Sequence, residues 1–528
     1  MFQKFLIWLD GVINKMISPT TIGDNLKVRI AISPRMMEFL LIWTRMYENL
    51  SPWKSDTVKT LNIPATIAAE IARSVTIEMV VNVTDGASAA DDRAGTENVG
   101  SRETLKQANI EQPDQLTRAG YLNQQIQKLV RKMRVQMEFA CAKGGMIFKP
   151  YVDGDEIAID CVQADQFYPV EFDSNGNVTA CVFADFRQIG QYHYVRLEYH
   201  AHEQGDKYTI RNTVFRSKTP YYNNISQNDL GIEVPLSDVP AWADIQPETK
   251  LTGIEKPLFA YLKYPMANQI DPTSPLGVSC YSRAVELIEE ADIQWSNLLW
   301  EFESGQRALY VDALAFGKDK NGNPMLPNKR LYRTLNQSGA LGGDDMFEDW
   351  TPTLREQQIL NGLEAILRRI EFTCGIAYGT LSNPTVVAKT ATEIKTAQQR
   401  TYATITDCQK ALQNAFETLL YAMDVWTTLY NLAPTGDFQS SFNFDDSLVS
   451  DANVKFLQDT QALGLNVMGK VEFRMRNYGE TKEIAQQAIA DVMAEMAASM
   501  GASMFPPNPA ADINKPPSVA LEQKSNGF

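Results

Sequence analysis

The side chains best suited to chemistry are few in this sequence, and their spacing argues against a reaction centre. Of the three histidines, His200 and His202 sit two apart in a run that alternates like a β-strand. That spacing puts both on one strand face, where a pair of imidazoles can chelate a metal. No third ligand stands nearby at motif spacing, so they read as two histidines on an exposed strand. Two carboxylate pairs, Glu289-Glu290 and Asp344-Asp345, are adjacent in sequence. Neighbours of this kind point apart more often than they share a site. With so few histidines the usual general base is scarce. The chain holds no GxxxxGK[ST], GxSxG or HExxH run, so no phosphate cradle, nucleophile elbow or zinc-protease helix is encoded. The six cysteines, Cys141, Cys161, Cys181, Cys280, Cys374 and Cys408, are scattered without CxxC or zinc spacing. They read as reduced thiols of a protein made in a cytoplasm. The expectation is no catalytic residue, no metal, no cofactor and no enzyme.

The bulk properties agree. The chain has 528 residues, 44% hydrophobic and 21% charged, with a net charge of -15. That length calls for several domains, and that balance excludes a tight basic reader of nucleic acid. An acidic protein still suits DNA that must slide, because phosphate contacts made by counterion release act as a brake. The opening MFQKFLIWLDGVINKMI starts like a signal peptide, but Asp10 and Lys15 interrupt it, so an amphipathic helix is expected. No apolar run of membrane-spanning length occurs, so no membrane is expected.

The elements that must position any site are mostly helical. The most prominent is Thr390 to Trp426, where apolar or small residues recur at three-and-four spacing from Ile394 through Ile405, Leu412, Leu419 and Met423 to Trp426, with no Pro or Gly inside. Thr390-x-x-Glu393 reads as a capping box. Ile405, Leu412, Leu419 and Met423 are expected on its buried face. Before it, helices are expected over Pro34–Leu50, Asn62–Val81, Leu122–Ala142, Tyr281–Phe302 and Arg355–Phe372. From Gly144 to Ser217 the period changes to two, with an Asn175-Gly176 hairpin signal, so one antiparallel sheet is expected inside a helical domain. ALYVDALAF reads as a strand, followed by a cationic hairpin around Asn321-Gly322-Asn323. GIAYGTLSNPTVVA is a turn-rich loop. After Trp426 come helices over Ser450–Leu463 and Thr481–Met500, then a Pro-rich tail expected to be disordered. The fold class is α+β, mainly α.

The order of these elements resembles the portal proteins of tailed bacteriophages, particularly those of siphoviruses of Gram-positive hosts. The stretches SPLGVSCYSRAVELIEEADIQWSNLLWEFESGQRALYV and CGIAYGTLSNPTVVAKTATEIKTAQQRTYATI carry the resemblance, above all the KTATE that opens the long helix. It implies a wing over 1–280, stem helices over 281–306 and 355–376, a small β-containing clip over 307–354, and a tunnel loop over 377–389. A channel-to-wing helix over 390–426, a crown over 427–504 and a tail over 505–528 would complete the subunit. It also implies a twelve-fold homo-oligomeric ring at one capsid vertex of the virion, assembled in the host cytoplasm. Double-stranded DNA would pass through it non-specifically during packaging and ejection. The terminase large subunit and a head-tail adaptor would dock on the clip, with major capsid and scaffold proteins around it. On this reading Ser382, Asn383, Pro384, Thr385, Val386, Val387 and Lys389 form the DNA-channel loop. Lys318, Lys320, Lys329, Arg330 and Arg333 form the docking face of the clip. The alternatives are a non-channel minor capsid or scaffold component, and a divergent metal-dependent enzyme using Asp344 and Asp345.

Overall fold

The computed structural model describes residues 17–86, 117–203, 205–219, 230–306, 308–312, 332–335, 347–350, 353–383, 391–444, 459–465, 467–478, 485–490 and 492–493. The chain divides into two compact units, the first 1–96 with 110–445 and the second 97–109 with 446–528.

The first unit is a mixed α/β body. It begins with α1 (Pro19–Leu26), α2 (Pro34–Tyr47), α3 (Ile63–Thr76) and strand β1 (Met79–Asp85). Each of the three helices carries Pro in its first turn, where the missing N–H is no loss. The helix expected to run to Val81 stops at Thr76. Beyond Thr76 the burial alternates, with Val81 and Val83 inward, and the segment joins a sheet. Next come α4 (Arg118–Val130) and α5 (Met133–Lys143), two helices where periodicity suggested one, broken at Arg131 and Lys132.

The period-two region yields two sheets where the sequence suggested one. β2 (Gly145–Asp153), β3 (Glu156–Gln163) and the later β10 (Ala260–Lys263) form one sheet in the order β10-β2-β3. β4 (Phe167–Phe172), β5 (Val178–Ile189), β6 (Tyr192–Glu203), β7 (Lys207–Ser217) and β8 (Ile232–Val234) form the other, with β9 (Glu248–Thr252) also on β7. Gly176, with φ at +80°, lies in the turn between β4 and β5, where the Asn-Gly signal placed it.

Helix α6 (Val285–Ser304) is followed by β11 (Ala308–Asp312), β12 (Tyr332–Leu335) and β13 (Phe347–Trp350). In this small sheet β11 pairs parallel with β12 and antiparallel with β13. The expected hairpin tip at 321–323 lies outside the described residues. Helix α7 (Glu356–Cys374) returns, and α8 (Ala391–Leu429) runs for 39 residues, about 58 Å at 1.5 Å per residue. After α8 the chain makes a strand, β14 (Phe438–Phe444), antiparallel to β1. That element was not expected. In the second unit α9 (Lys470–Tyr478) is held by Asn477, whose amide donates to Asp459 at 2.9 Å.

The core of the first unit gathers around the C-terminal half of α8. Cys408, Leu412, Ala415, Phe416, Leu419 and Met423 are buried, while Ile405 is partly buried against the same cluster. Phe416 lies between the rings of Phe148 on β2 and Phe442 on β14, at 6.0 and 6.3 Å. Arg118 at the start of α4 ties down the helix end. Its guanidinium donates to Asp424 Oδ1 at 2.6 Å, to the Asp424 carbonyl at 2.9 Å and to the hydroxyl of Thr428.

Candidate functional site: the helix pair and the loop that joins it to the long helix

Helices α6 and α7 are joined at one end by the three-stranded sheet, and α7 connects to α8 by 375–390. Each helix of the pair carries a carboxylate on its apolar stripe. On α6, Ile288, Ala291 and Leu298 are buried, and Asp292 is buried among them at 1% exposure. It accepts from the indole N–H of Trp53 and from the Leu61 amide, both at 2.8 Å, and one turn on the Ser296 hydroxyl accepts from the Lys59 amide at 2.8 Å. Burial raises the Asp292 carboxyl, and the hydrogen bonds from Leu61 and Trp53 work against that rise. The segment 51–62 is thereby stapled to α6.

At the opposite end of α6, Glu301 holds the start of α7. Its Oε1 accepts from the Arg355 amide at 2.9 Å and from Nε at 3.2 Å, and its Oε2 accepts from Nη2 at 2.8 Å. The Arg355 hydrogen bonds hold the Glu301 carboxyl below its usual range and raise the guanidinium. This pair fixes the antiparallel register of the two helices.

The third carboxylate organises the loop. On α7, Leu363, Leu367, Ile370 and Cys374 are buried, and Glu371 lies on the same stripe with no exposed surface. Gly375 ends the helix at φ +73°, and a Cβ there would meet the Thr404 hydroxyl of α8 at 2.6 Å, so only glycine fits. The chain then wraps the Glu371 carboxylate. Oε1 accepts from the amides of Gly379, Leu381 and Ser382 at 3.0, 2.7 and 2.9 Å, and Oε2 accepts from the Ser382 hydroxyl at 2.9 Å. Seven residues back along α7, Glu364 accepts from the Asn383 amide at 2.9 Å. The loop therefore doubles back along α7 as far as Asn383, held by two carboxylates two helical turns apart.

The sequence-derived loop residues divide at this point. Ser382 is buried and its hydroxyl is committed to Glu371, whereas Asn383 is exposed. Pro384, Thr385, Val386, Val387 and Lys389 lie outside the described residues. So do Lys318, Lys320, Lys329 and Arg330 of the cationic segment, and Asp344 and Asp345. Arg333 lies in β12, in register with Tyr310 of β11. Sequence reasoning missed Glu371, Glu364 and Asp292. The signal was present for two of them, since Asp292 is one turn from Ile288 and Glu371 one turn from Leu367, both on apolar stripes.

His200 and His202 are bonded within the fold. His200 is buried, not exposed as expected. Its Nε2 meets Glu198 Oε1 at 2.7 Å and its Nδ1 meets the Tyr208 hydroxyl at 2.9 Å. His202 Nε2 is 2.8 Å from the Ile254 carbonyl. Burial alone would raise the Glu198 carboxyl, but Lys149 at 2.7 Å, the His200 hydrogen bond and Arg196 at 3.1 Å hold it well below the usual range. Burial lowers His200 despite Glu198. Among the described residues no group of three His, Cys, Asp or Glu side chains is placed to hold a metal, and no helix is long and apolar enough to cross a membrane. All six cysteines are free, and burial pushes the thiols of Cys374 and Cys408 up to about 12, away from the reactive thiolate.

No curated protein matches the chain. Among solved structures, the neck of a native GTA particle computed with C12 symmetry is similar at a TM-score of 0.37 and 10% identity, over 87% of this chain and 98% of that one. A family model described as phage portal protein, SPP1 Gp6-like, matches residues 125–463. That span takes in the C-terminal part of α4, both large sheets, the α6–α7 pair, the loop that wraps Glu371, all of α8 and β14. It is more than half of the sequence, so the chain belongs to the phage portal protein family of the SPP1 Gp6-like type.

Proposed function

We propose that this chain is the subunit of a closed ring, twelve-fold on the family resemblance, that forms a DNA channel at one capsid vertex of a phage particle. The family match across the α6–α7 pair and α8 carries this reading. In it the chain is a structural part of the virion and not an enzyme. α6 and α7 are the stem, β11, β12 and β13 belong to the clip, and the chain after Asn383 faces the lumen. The channel-loop residues divide by role. Ser382 anchors the base through Glu371, and Asn383, Pro384, Thr385, Val386, Val387 and Lys389 border the DNA. Val386 and Val387 make a small apolar collar, and Lys389 offers one phosphate contact per subunit, weak and sequence-independent. Lys318, Lys320, Lys329, Arg330 and Arg333 steer the terminase large subunit and later the head-tail adaptor to the clip. Major capsid and scaffold proteins surround the ring during assembly in the host cytoplasm.

The acidic balance of the chain supports a lumen that does not grip phosphate. Three features give such a ring a stiff wall: α8 is rooted in the core, α6 is stapled to 51–62, and the loop base is held on α7. Light scattering with a negative-stain top view tests the reading. A closed ring of about twelve copies is expected. A monomer or dimer at every concentration would refute the channel and favour a non-channel capsid component.

A further inference from the structure

Helix α6 contains six carboxylates and no cation. Asp292 and Glu301 are used within the chain, as described above. Glu286 and Glu290 are exposed and Glu289 is half-buried, all on the face turned away from Ile288 and Ala291. None has a cation within 4.0 Å among the described residues. Burial raises the Glu289 carboxyl, and the neighbouring charges of Glu290 and Glu286 raise it further. No described residue relieves the repulsion within this patch.

Helices α7 and α8 carry the opposite charge at the same height. The Glu301–Arg355 pair sets the register, and fifteen residues along each helix from it lie Glu286 and Ile370. Arg368 and Arg369 lie just before that level, on the face of α7 away from Leu363 and Leu367. Neither has a carboxylate within 4.0 Å among the described residues. Arg369 and Arg400 both lie over the exposed ring of Phe372, at 5.1 and 3.8 Å. Acid and base of one chain thus sit level with each other yet unpaired.

A rotation about a ring axis along the stem keeps every residue at its own height. It brings the flank of one copy to the opposite flank of the next, in a heterologous contact that closes. We propose that Glu286, Glu289 and Glu290 of one copy dock on Arg368, Arg369 and Arg400, with Phe372, of the adjacent copy. This rests on the ring reading and specifies which faces meet. The pairing relieves the α6 repulsion. It also sets the direction of the ring, because like faces repel.

Charge reversal tests it. Glu286→Lys with Glu290→Lys forms one variant, and Arg368→Glu with Arg369→Glu the other, each checked for folding by circular dichroism. Each alone should raise the concentration for half-assembly more than about tenfold, given several kcal/mol for like charges and 1.4 kcal/mol per decade. An equimolar mixture of the two variants should assemble, because each supplies the charge the other lacks. The chain carrying all four changes should assemble alone. Wild-type rings with variants that also assemble at the wild-type concentration would overturn the docking faces. Failure of both the mixture and the fourfold variant would overturn them too. A wild-type chain that never forms rings removes the ring reading itself, and the docking with it.

Discussion

Replacing Glu371 by Ala removes the acceptor of four hydrogen bonds and leaves the amides of Gly379, Leu381 and Ser382 and the Ser382 hydroxyl unpaired. An unsatisfied buried donor costs about 1–3 kcal/mol. Four such donors cannot all stay buried, because Thr380 and Asn383 on either side are exposed and the segment can swing into water. The expected outcome is local opening of 377–383 at a cost of about 2–4 kcal/mol, with the rest of the fold intact. At 1.4 kcal/mol per decade, those amides should exchange with deuterium about 30- to 1,000-fold faster, while amides in the middle of α7 keep their wild-type rate. Glu371→Gln keeps one carbonyl acceptor for the three amides and should fall between the two. Hydrogen exchange read by mass spectrometry on assembled protein measures this. Wild-type protection of Gly379, Leu381 and Ser382 in the Ala variant would show that backbone geometry alone holds the loop, and the clamp would be discarded.

Three further outcomes are expected. Leu412→Ala in the core face of α8 should destabilise the chain by about 2–5 kcal/mol in denaturant unfolding, and a change of a few tenths would mean that this face is not packed. Lys143 and Asp165 form a buried pair at 2.6 Å; Lys143→Met should cost about 3–5 kcal/mol by stranding the carboxylate, and adding Asp165→Leu should recover most of it, as read from the shift in urea midpoint. Thermal stability should fall in acid in two stages. His200 titrates lower in the fold than its ordinary 6.5, so the unfolded chain binds the extra proton and stability declines as pH drops below about 6.5. Glu198 is likewise depressed from 4.5, so its contribution is present above that pH and lost as pH falls below it. His200→Gln should abolish the first stage, and an unchanged profile would contradict the burial of a neutral imidazole.

Long periodic helices were legible because their apolar stripes repeat over many turns. The α8 face through Leu412, Leu419 and Met423, and the apolar stripes of α6 and α7, follow from spacing alone, whereas the pairing of α6 with α7 follows from the family resemblance. The helical pattern from Asn62 runs on through Val81, over the first three residues of the strand MVVNVTD, because Ile77 and the valines continue an apolar run. Only the partner β14, more than 350 residues away, makes Met79–Asp85 a strand. In FQSSFNF the alternation of Phe438, Ser440, Phe442 and Phe444 with polar neighbours was a weak but real strand signal. The break at Arg131 and Lys132 left none, since Lys and Arg are good helix formers. His200 is buried for the same reason as Glu371. Whether a polar side chain on a regular element is solvated depends on what tertiary structure lays across it, and here β7 and the Glu198 cluster cover His200. A polar residue in phase with an apolar stripe is the local clue that such a covering partner exists.

That clue also divides the loop by mechanism. Up to Asn383 the backbone is committed to Glu371 and Glu364, so its donors serve the fold and are unavailable to a phosphate. Any DNA contact from this part of the chain therefore belongs to the side chain of Asn383 and to the residues after it, among which Lys389 is the one cation before α8. A deletion that starts at Leu381 removes two of the amides on Glu371 and mixes loss of anchoring with loss of DNA contact. Removing Thr385 to Ala388 instead leaves every described bond to Glu371 and Glu364 in place. Rings of that variant should assemble as wild type, keep slow exchange at Gly379, Leu381 and Ser382, and retain packaged DNA poorly. Normal retention with the clamp intact would mean that the segment after Asn383 does not border the DNA, and would move the contact to another part of the channel.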